Sequence, residues 1–211
     1  MIKIDSVELK TKSAPVYGLV LTGGLSSRMK RDKGEIQYHG TTQVEYAFDL
    51  LKKNCSEVFI SCREDQKDLF HLSKLPQIHD LYLNGGSLGG ILSAMNAYRH
   101  AAWLVLACDL PLVDEEVVST LLIEREDLLS ATAFYNLDEK RFEPLASIYE
   151  PKSYEMMLSF LNEGKTCPQK VLFNSDVKII NLKNGDWMEK KLSNVNTPEE
   201  SAIITNKIRE K

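Results

Sequence analysis

Trp103-Leu-Val-Leu-Ala-Cys108 is an almost continuous apolar run of one strand's length. A strand of this kind must be covered on both faces, and such strands belong to parallel sheets flanked by helices. Two more runs repeat the theme: Val16 to Thr22, bounded by Pro15 and Gly23, and Val58-Phe-Ile-Ser-Cys62. Segments of helical period fall between them. Val44, Ala47, Phe48 and Leu51 place an amphipathic helix over 42–53, capped by Thr41 or Thr42. Asp65 to Leu75 reads as a helix stopped by Pro76, and Gln77 to His79 as a brief strand. Leu88, Ile91, Leu92 and Met95 share one helical face, and Asp114 caps a helix carrying Val117, Val118, Leu121 and Leu122. This alternation predicts an α/β fold built from βαβ units around a central, mostly parallel sheet.

The second half is less regular. Ala131 to Asn136 and Pro144 to Tyr149 read as strands, joined by 137–143, and Val177 to Leu182 as another. Tyr154 to Asn162 is a helix ended by Gly164. Thr197-Pro-Glu-Glu200 is a helix start, with Thr197 as cap, Pro198 at the first position and Glu200 closing a capping box. Without a linker, a repeat or a low-complexity stretch, 15–211 is expected to be one domain, preceded by an extension over 1–14 that forms an edge strand or a mobile arm.

The net charge of −4, from 26 basic and 30 acidic residues, argues against a general nucleic-acid binder. No apolar segment is long enough for a membrane span, and the N-terminal stretch lacks a signal-peptide core. Cys55, Cys62, Cys108 and Cys167 form no C-x-x-C pair, so a reducing cytoplasm is the expected compartment. The four histidines, among them His39 and His79, suggest no ligand set.

Against the acidic background, the first strand ends at Gly23-Gly24 and runs into Arg28, Lys30, Arg31 and Lys33. Glycines let backbone N–H groups approach an anion, and the cations can close around it, so the loop suits a polyphosphate. A glycine turn followed by a solvated basic loop explains the same residues equally well. It is neither a Walker A loop nor a G-x-G-x-x-G turn. Asp109 follows the Trp103 run directly and so emerges at the carboxyl edge of the sheet, where α/β folds bind ligands. One carboxylate there can hold Mg²⁺ beside phosphates, though a turn aspartate before Pro111 is the plainer account of Asp109 alone. Asp80 precedes a second glycine cluster, Gly85-Gly-Ser-Leu-Gly-Gly90. A carboxylate at Asp80 can accept from the N–H edge of guanine, or simply be solvated. Asn194 and Asn196 flank Val195 and point to one side if that segment is extended; they bind a polar substrate or tie down the loop.

At these residues the chain resembles the molybdenum cofactor guanylyltransferase family, nucleotidyltransferases with a glycine-rich first loop. Leu21-Thr-Gly-Gly24, Ser27-Arg28-Met29, Asp32-Lys33, Ala107-Cys-Asp-Leu-Pro111, Glu143-Pro-Leu-Ala-Ser-Ile-Tyr149 and Asn194-Val-Asn-Thr-Pro-Glu-Glu200 carry the resemblance, in the family's order. It departs at Lys30, often glycine, and Ser87, often proline. The resemblance implies a three-layer Rossmann-like nucleotidyltransferase fold. It implies GTP binding by Leu21, Thr22, Gly23, Gly24 and Lys33, with Ser61, Asp80 and Asp109 also touching nucleotide; the family often has asparagine where Ser61 stands. It implies Mg²⁺ on Asp109 and the pterin substrate on Asn194 and Asn196. Arg28 and Lys33 are then expected to hold phosphates and steady the departing pyrophosphate. The expected reaction is transfer of GMP from GTP to molybdopterin, with or without molybdenum, in a monomer that meets cofactor-insertion proteins transiently. A sugar-phosphate acceptor, or a nucleotide-binding module without catalysis, are the competing expectations.

Overall fold

The computed structural model describes residues 13–22, 33–69, 72–183 and 185–209. The extension over 1–12 and the Gly23 to Asp32 loop lie outside the described residues. The apolar run becomes β4 (Ala102–Ala107), buried at every position. It pairs in parallel with β1 (Val16–Leu21) and antiparallel with β6 (Arg141–Tyr149). Adding β2 (Glu57–Cys62), β3 (Gln77–His79), β5 (Ala131–Asn136) and β7 (Val177–Leu182) gives one sheet in the order β3-β2-β1-β4-β6-β5-β7. Only β6 runs against the rest of this sheet. The mostly parallel α/β expectation is met.

Side-chain alternation along the strands builds two cores. Leu104, Leu106 and Val20 pack on one face with α1 (Gln43–Lys52) and α3 (Glu115–Ile123). Trp103, Val105, Leu19 and Leu21 pack on the other with α2 (Gly86–Ala97), α4 (Tyr154–Asn162) and α5 (Pro168–Phe173). That is a three-layer arrangement, helix on sheet on helix. No described helix is long and apolar enough to cross a membrane.

Local signals explain the helix ends. Thr42 accepts from Glu45 N while Glu45 reaches back to Thr42 N, the reciprocal box that fixes the start of α1. Asp114 caps α3 by accepting from Glu116 N and Val117 N. Thr197 and Glu200 form the same reciprocal pair at α7 (Pro198–Arg209). Gly164 closes α4 at φ +74°, a conformation few L-residues adopt.

Three expectations need correction. The 65–75 helix is instead a 3₁₀ turn at Glu64–Gln66 followed by further turns. The Gln77 side-chain amide donates to the Lys67 and Leu72 carbonyls, both at 3.0 Å, and at Lys67 it takes an acceptor that a continuous helix needs internally. The strand placed at 144–149 begins at Arg141, because β6 carries a bulge that hides its register. Finally α5 and α6 (Trp187–Lys191) appear where no helix was expected; at six and five residues they are too short to show a period.

Candidate active site

Strands β1, β2, β3 and β4 are parallel, so the residues after each share one edge of the sheet. Thr22 leaves β1 buried, its N–H and hydroxyl both donating to the Ser61 carbonyl, at 3.3 and 2.7 Å. Ser61 is only 2% exposed and donates its own hydroxyl to Asp80 Oδ1 at 2.6 Å. The expected nucleotide residues Leu21, Thr22, Ser61 and Asp80 therefore form one connected group. Within it, Ser61 acts on Asp80: it fixes one carboxylate oxygen and leaves the group aimed by β2. Burial raises the Asp80 carboxyl above its ordinary range, opposed by the Ser61 hydroxyl and by the charges of Arg63 and His79.

Behind Asp80, Ser93 accepts from Leu81 N at 2.9 Å and donates to the Gly89 carbonyl at 2.7 Å, pinning the turn to α2. The second glycine cluster is used mainly for this packing. A Cβ on Gly90 would lie 2.5 Å from Ser61 Oγ and 3.0 Å from Leu21 Cδ2. A Cβ on Gly89 would lie 2.5 Å from the Tyr82 carbonyl oxygen. These glycines let α2 close directly onto the Ser61–Asp80 pair.

Asp109 stands two residues beyond the last β1–β4 pair, Leu21↔Ala107. The pairing continues through Cys108 N, which donates to the Leu21 carbonyl at 3.2 Å, so Asp109 lies beside the exit of β1. Its backbone carbonyl accepts from Val195 N at 2.8 Å. That bond draws Asn194 and Asn196 to the same edge. Asn194 lines a cavity of about 390 Å³ with Leu112, Ile203 and Ile204, alongside Lys190 and Lys207. Glu200 lines the same cavity, so charges of both signs rim an apolar wall. Lys33 opens a 3₁₀ turn, Lys33–Glu35, but its side chain, with Gly23, Gly24 and Arg28, lies outside the described residues.

Glu143, close enough to Asp109 to feel its charge, was given no role in the sequence reading. Because β6 is antiparallel, its beginning lies at the edge where β4 ends. The register Leu106↔Ala146 runs toward Asp109 and Glu143. Between Ala133↔Ser147 and Phe134↔Glu143 the β6 strand bulges, and bulges re-aim side chains. Ser147 Oγ donates to the Glu143 carbonyl at 2.5 Å, and Leu145 N donates to Glu143 Oε1 at 3.2 Å, so the bulge is held from inside. The Glu143 carboxyl is pushed up to about 7, first by burial and further by the charge of Asp109. The Leu145 N–H and the Arg141 charge oppose that rise. A glutamate before a proline, at the start of an antiparallel strand next to β4, is the signal that would have found it.

Glu143 should show in the pH dependence of stability. Its folded-state value is raised, so its contribution is present below 4.5 and lost as the pH climbs through about 7. Glu143→Gln keeps an oxygen for Leu145 N and has no charge to bury. In chelator-treated protein the variant is expected to match the parent near pH 4. By pH 8 it should exceed the parent by on the order of 3 kcal/mol. Denaturant unfolding at the two values measures this, and parallel curves for both proteins would refute the assignment.

Comparison with known proteins gives the family. Residues 18–177 match the family model described as a MobA-like NTP transferase domain. A relative from Bacillus cereus, named a probable molybdenum cofactor guanylyltransferase, is 31% identical over 191 residues, covering 87% of this chain and 92% of its own. A molybdenum cofactor biosynthesis bifunctional protein from Synechocystis is 37% identical over 190 residues; the match covers 90% of this chain but 54% of that longer one. Among solved structures, molybdopterin-guanine dinucleotide biosynthesis protein A from Archaeoglobus fulgidus superposes with a TM-score of 0.77 at 22% identity, covering 92% of this chain and 100% of that one. A nucleotidyl transferase from Methanothermobacter superposes at 0.71, with 12% identity over 93% and 98% of the two chains. The match over residues 18–177 and the 31% identity to the Bacillus relative show that this chain belongs to the MobA-like NTP transferase family.

Proposed function

We propose that this nucleotidyltransferase moves GMP from GTP to molybdopterin, releasing pyrophosphate and forming the guanine dinucleotide of the cofactor. The observation that carries the reading is the 2.8 Å bond from Val195 N to the Asp109 carbonyl. It brings the asparagine pair to the sheet edge that carries Asp109, which supports donor and acceptor meeting there. The name of the Bacillus relative, a probable molybdenum cofactor guanylyltransferase, supports the same donor and acceptor, and that of the Synechocystis relative supports the same cofactor.

In this reading an oxygen of the terminal phosphate of molybdopterin attacks the α-phosphorus of GTP. The bond from that phosphorus to the β-phosphate bridging oxygen breaks, and pyrophosphate leaves. The attacking phosphate is already ionised at neutral pH, so no dedicated base is needed. Positioning and charge neutralisation carry the rate. Arg28 and Lys33 hold the phosphates and the departing pyrophosphate. Thr22 and the Gly23-Gly24 backbone receive the nucleotide at the end of β1. Asn194 and Asn196 orient the acceptor.

The donor set at Asp109 fits Mg²⁺. Its carboxylate is a hard oxygen ligand, and Glu143 is a second carboxyl nearby, one that a cation beside it would favour in the ionised form. Asp109 would hold the ion, with phosphate oxygens and water filling the other positions, and the ion would supply Lewis-acid stabilisation of charge at the α-phosphate. Incubation with GTP, molybdopterin and magnesium tests the reading. Release of pyrophosphate with a product of the guanine dinucleotide's mass is expected. Transfer to a sugar phosphate alone, or nucleotide binding without pyrophosphate release, would overturn it.

Base selection falls to Asp80. Its ionised carboxylate, oriented by Ser61, can accept from the N1–H and amino group of guanine, where adenine offers an acceptor. GTP is expected to bind well above ATP and CTP in calorimetric titrations with magnesium. Asp80→Ala should weaken GTP by about 10–100-fold, the range for a hydrogen bond to a charged group, and leave ATP nearly unchanged. An Asp80→Ala protein that keeps the full preference would move base recognition to the backbone of 85–90.

A further inference from the structure

The proposed reaction needs two arms in register. One leaves β1 and carries Lys33; the other leaves β4 and carries Asp109. Nothing in a sheet ladder fixes the loops beyond the strand ends relative to each other, so side chains must do it. After the Lys33–Glu35 turn the first arm folds back on itself. Gln37 bridges to Thr42, Gln43 N donates to the Ile36 carbonyl at 2.8 Å, and Gly40 takes φ +82° to complete the reversal. The tip of that reversal is Tyr38-His39.

His39 points at the Asp109 turn. Its Nε2 lies 2.8 Å from the Pro111 carbonyl oxygen, two residues past Asp109. A carbonyl only accepts, so Nε2 carries the proton and donates. The ring also stacks on Tyr46 of α1, with centroids 3.7 Å apart and planes inclined by 12°. Tyr46 in turn donates its hydroxyl to the Val113 carbonyl at 3.1 Å. The two stacked rings thus grip the 111–113 segment at two consecutive odd carbonyls, and the stack orders both donors together. Beside them Tyr38 is buried against Val195 and Ile204 and donates to Ser201 Oγ at 3.0 Å, which ties the same tip to the asparagine segment.

We propose that His39 is a positioning residue of the transfer reaction, clamping the Lys33 arm to the Asp109 turn through the Pro111 carbonyl. The inference rests on the guanylyl-transfer reading. Its contacts are the Pro111 carbonyl and the Tyr46 ring, so it acts through the arm and the turn. It sets where the phosphate-binding arm stands relative to the carboxylate. Small misplacements of reacting groups cost far more in rate than in binding. Loss of the clamp therefore falls on kcat.

Two variants separate donor from stack. His39→Phe keeps an aromatic ring on Tyr46 and removes the N–H. His39→Gln keeps an amide N–H within reach of Pro111 and removes the ring. Hydrogen exchange of the 108–113 peptide is compared with kcat and KM for GTP in the parent and both variants. His39→Phe is expected to raise exchange at 108–113 and to lower kcat about tenfold or more, with KM for GTP changed less than about twofold and the melting temperature held. His39→Gln is expected to recover most of both losses. Unchanged exchange in His39→Phe overturns the clamp. Raised exchange with an unchanged kcat, or equal losses in both variants, overturns the positioning role. A parent protein that transfers nothing from GTP is a failure of the guanylyl reading, visible before any variant is made, and the exchange experiment still decides the clamp.

Discussion

Asp109→Asn is expected to lose magnesium-dependent transfer by about 10²–10³-fold, the scale on which removal of one preorganised electrostatic group acts. The substitution keeps shape and removes only charge. The link from Asp109 to the 194–196 segment runs through its backbone carbonyl, which receives Val195 N, so the asparagine pair should stay in place. The deficit should then appear in the magnesium dependence of the rate, with circular dichroism and the melting temperature close to the parent's. A second signature comes from Glu143. Asp109 is one of the charges that raises its carboxyl, so Glu143 should ionise at lower pH in the variant. The fall in parental stability between pH 4 and pH 8 should shrink accordingly. An asparagine variant with the parent's magnesium response removes Asp109 from the site.

What could be read in the chain divides along a physical line. Strands buried on both faces announce themselves locally, so β1 and β4 were legible from their apolar runs, and Asp80 and Asp109 from standing directly after strands. Caps are local too, and Thr42, Asp114 and Thr197 needed only their own neighbours. Glu143 needed more. Its place beside Asp109 depends on β6 running antiparallel to β4 and on a bulge that shifts the pairing, and neither leaves a mark in hydrophobic period. His39 is harder still, because the carbonyl it reaches, Pro111, is 72 residues away, and its nearby stacking partner Tyr46 meets it only through the reversal at Gly40. The glycines at 89 and 90 show the opposite failure. Their presence was plain, but ligand access and internal packing both call for glycine, and only the distances to Tyr82, Ser61 and Leu21 separate the two. Over 65–75, composition favoured a helix, and the Gln77 side chain, outside that window, decided otherwise.

Lys33→Ala is expected to slow transfer by roughly 10²–10³-fold, equivalent to about 3–4 kcal/mol of lost transition-state stabilisation. The chain is acidic overall, at −4, but Arg28, Lys30 and Arg31 closely precede Lys33, so the expected loss is that of the Lys33 contact itself and not of the loop's whole positive charge. The fold should tolerate the change. The backbone of Lys33 begins the Lys33–Glu35 turn, and the arm is anchored further on by the Gln37–Thr42 bridge, by His39 and by the capping box of α1. Those anchors involve no lysine side chain. A loss confined to phosphate contacts should fall on kcat when charge builds on the departing pyrophosphate, and on KM when it holds GTP in the ground state. Lys33→Arg separates charge from shape: it keeps the cation but presents a planar fork instead of a compact ammonium. If field alone matters, arginine should restore most of the rate; if Lys33 reaches one phosphate oxygen as a point charge, arginine should restore little. Steady-state kinetics of the three proteins, with unfolding curves to confirm equal stability, decide between these, and turnover unchanged in the alanine protein would take Lys33 out of the mechanism.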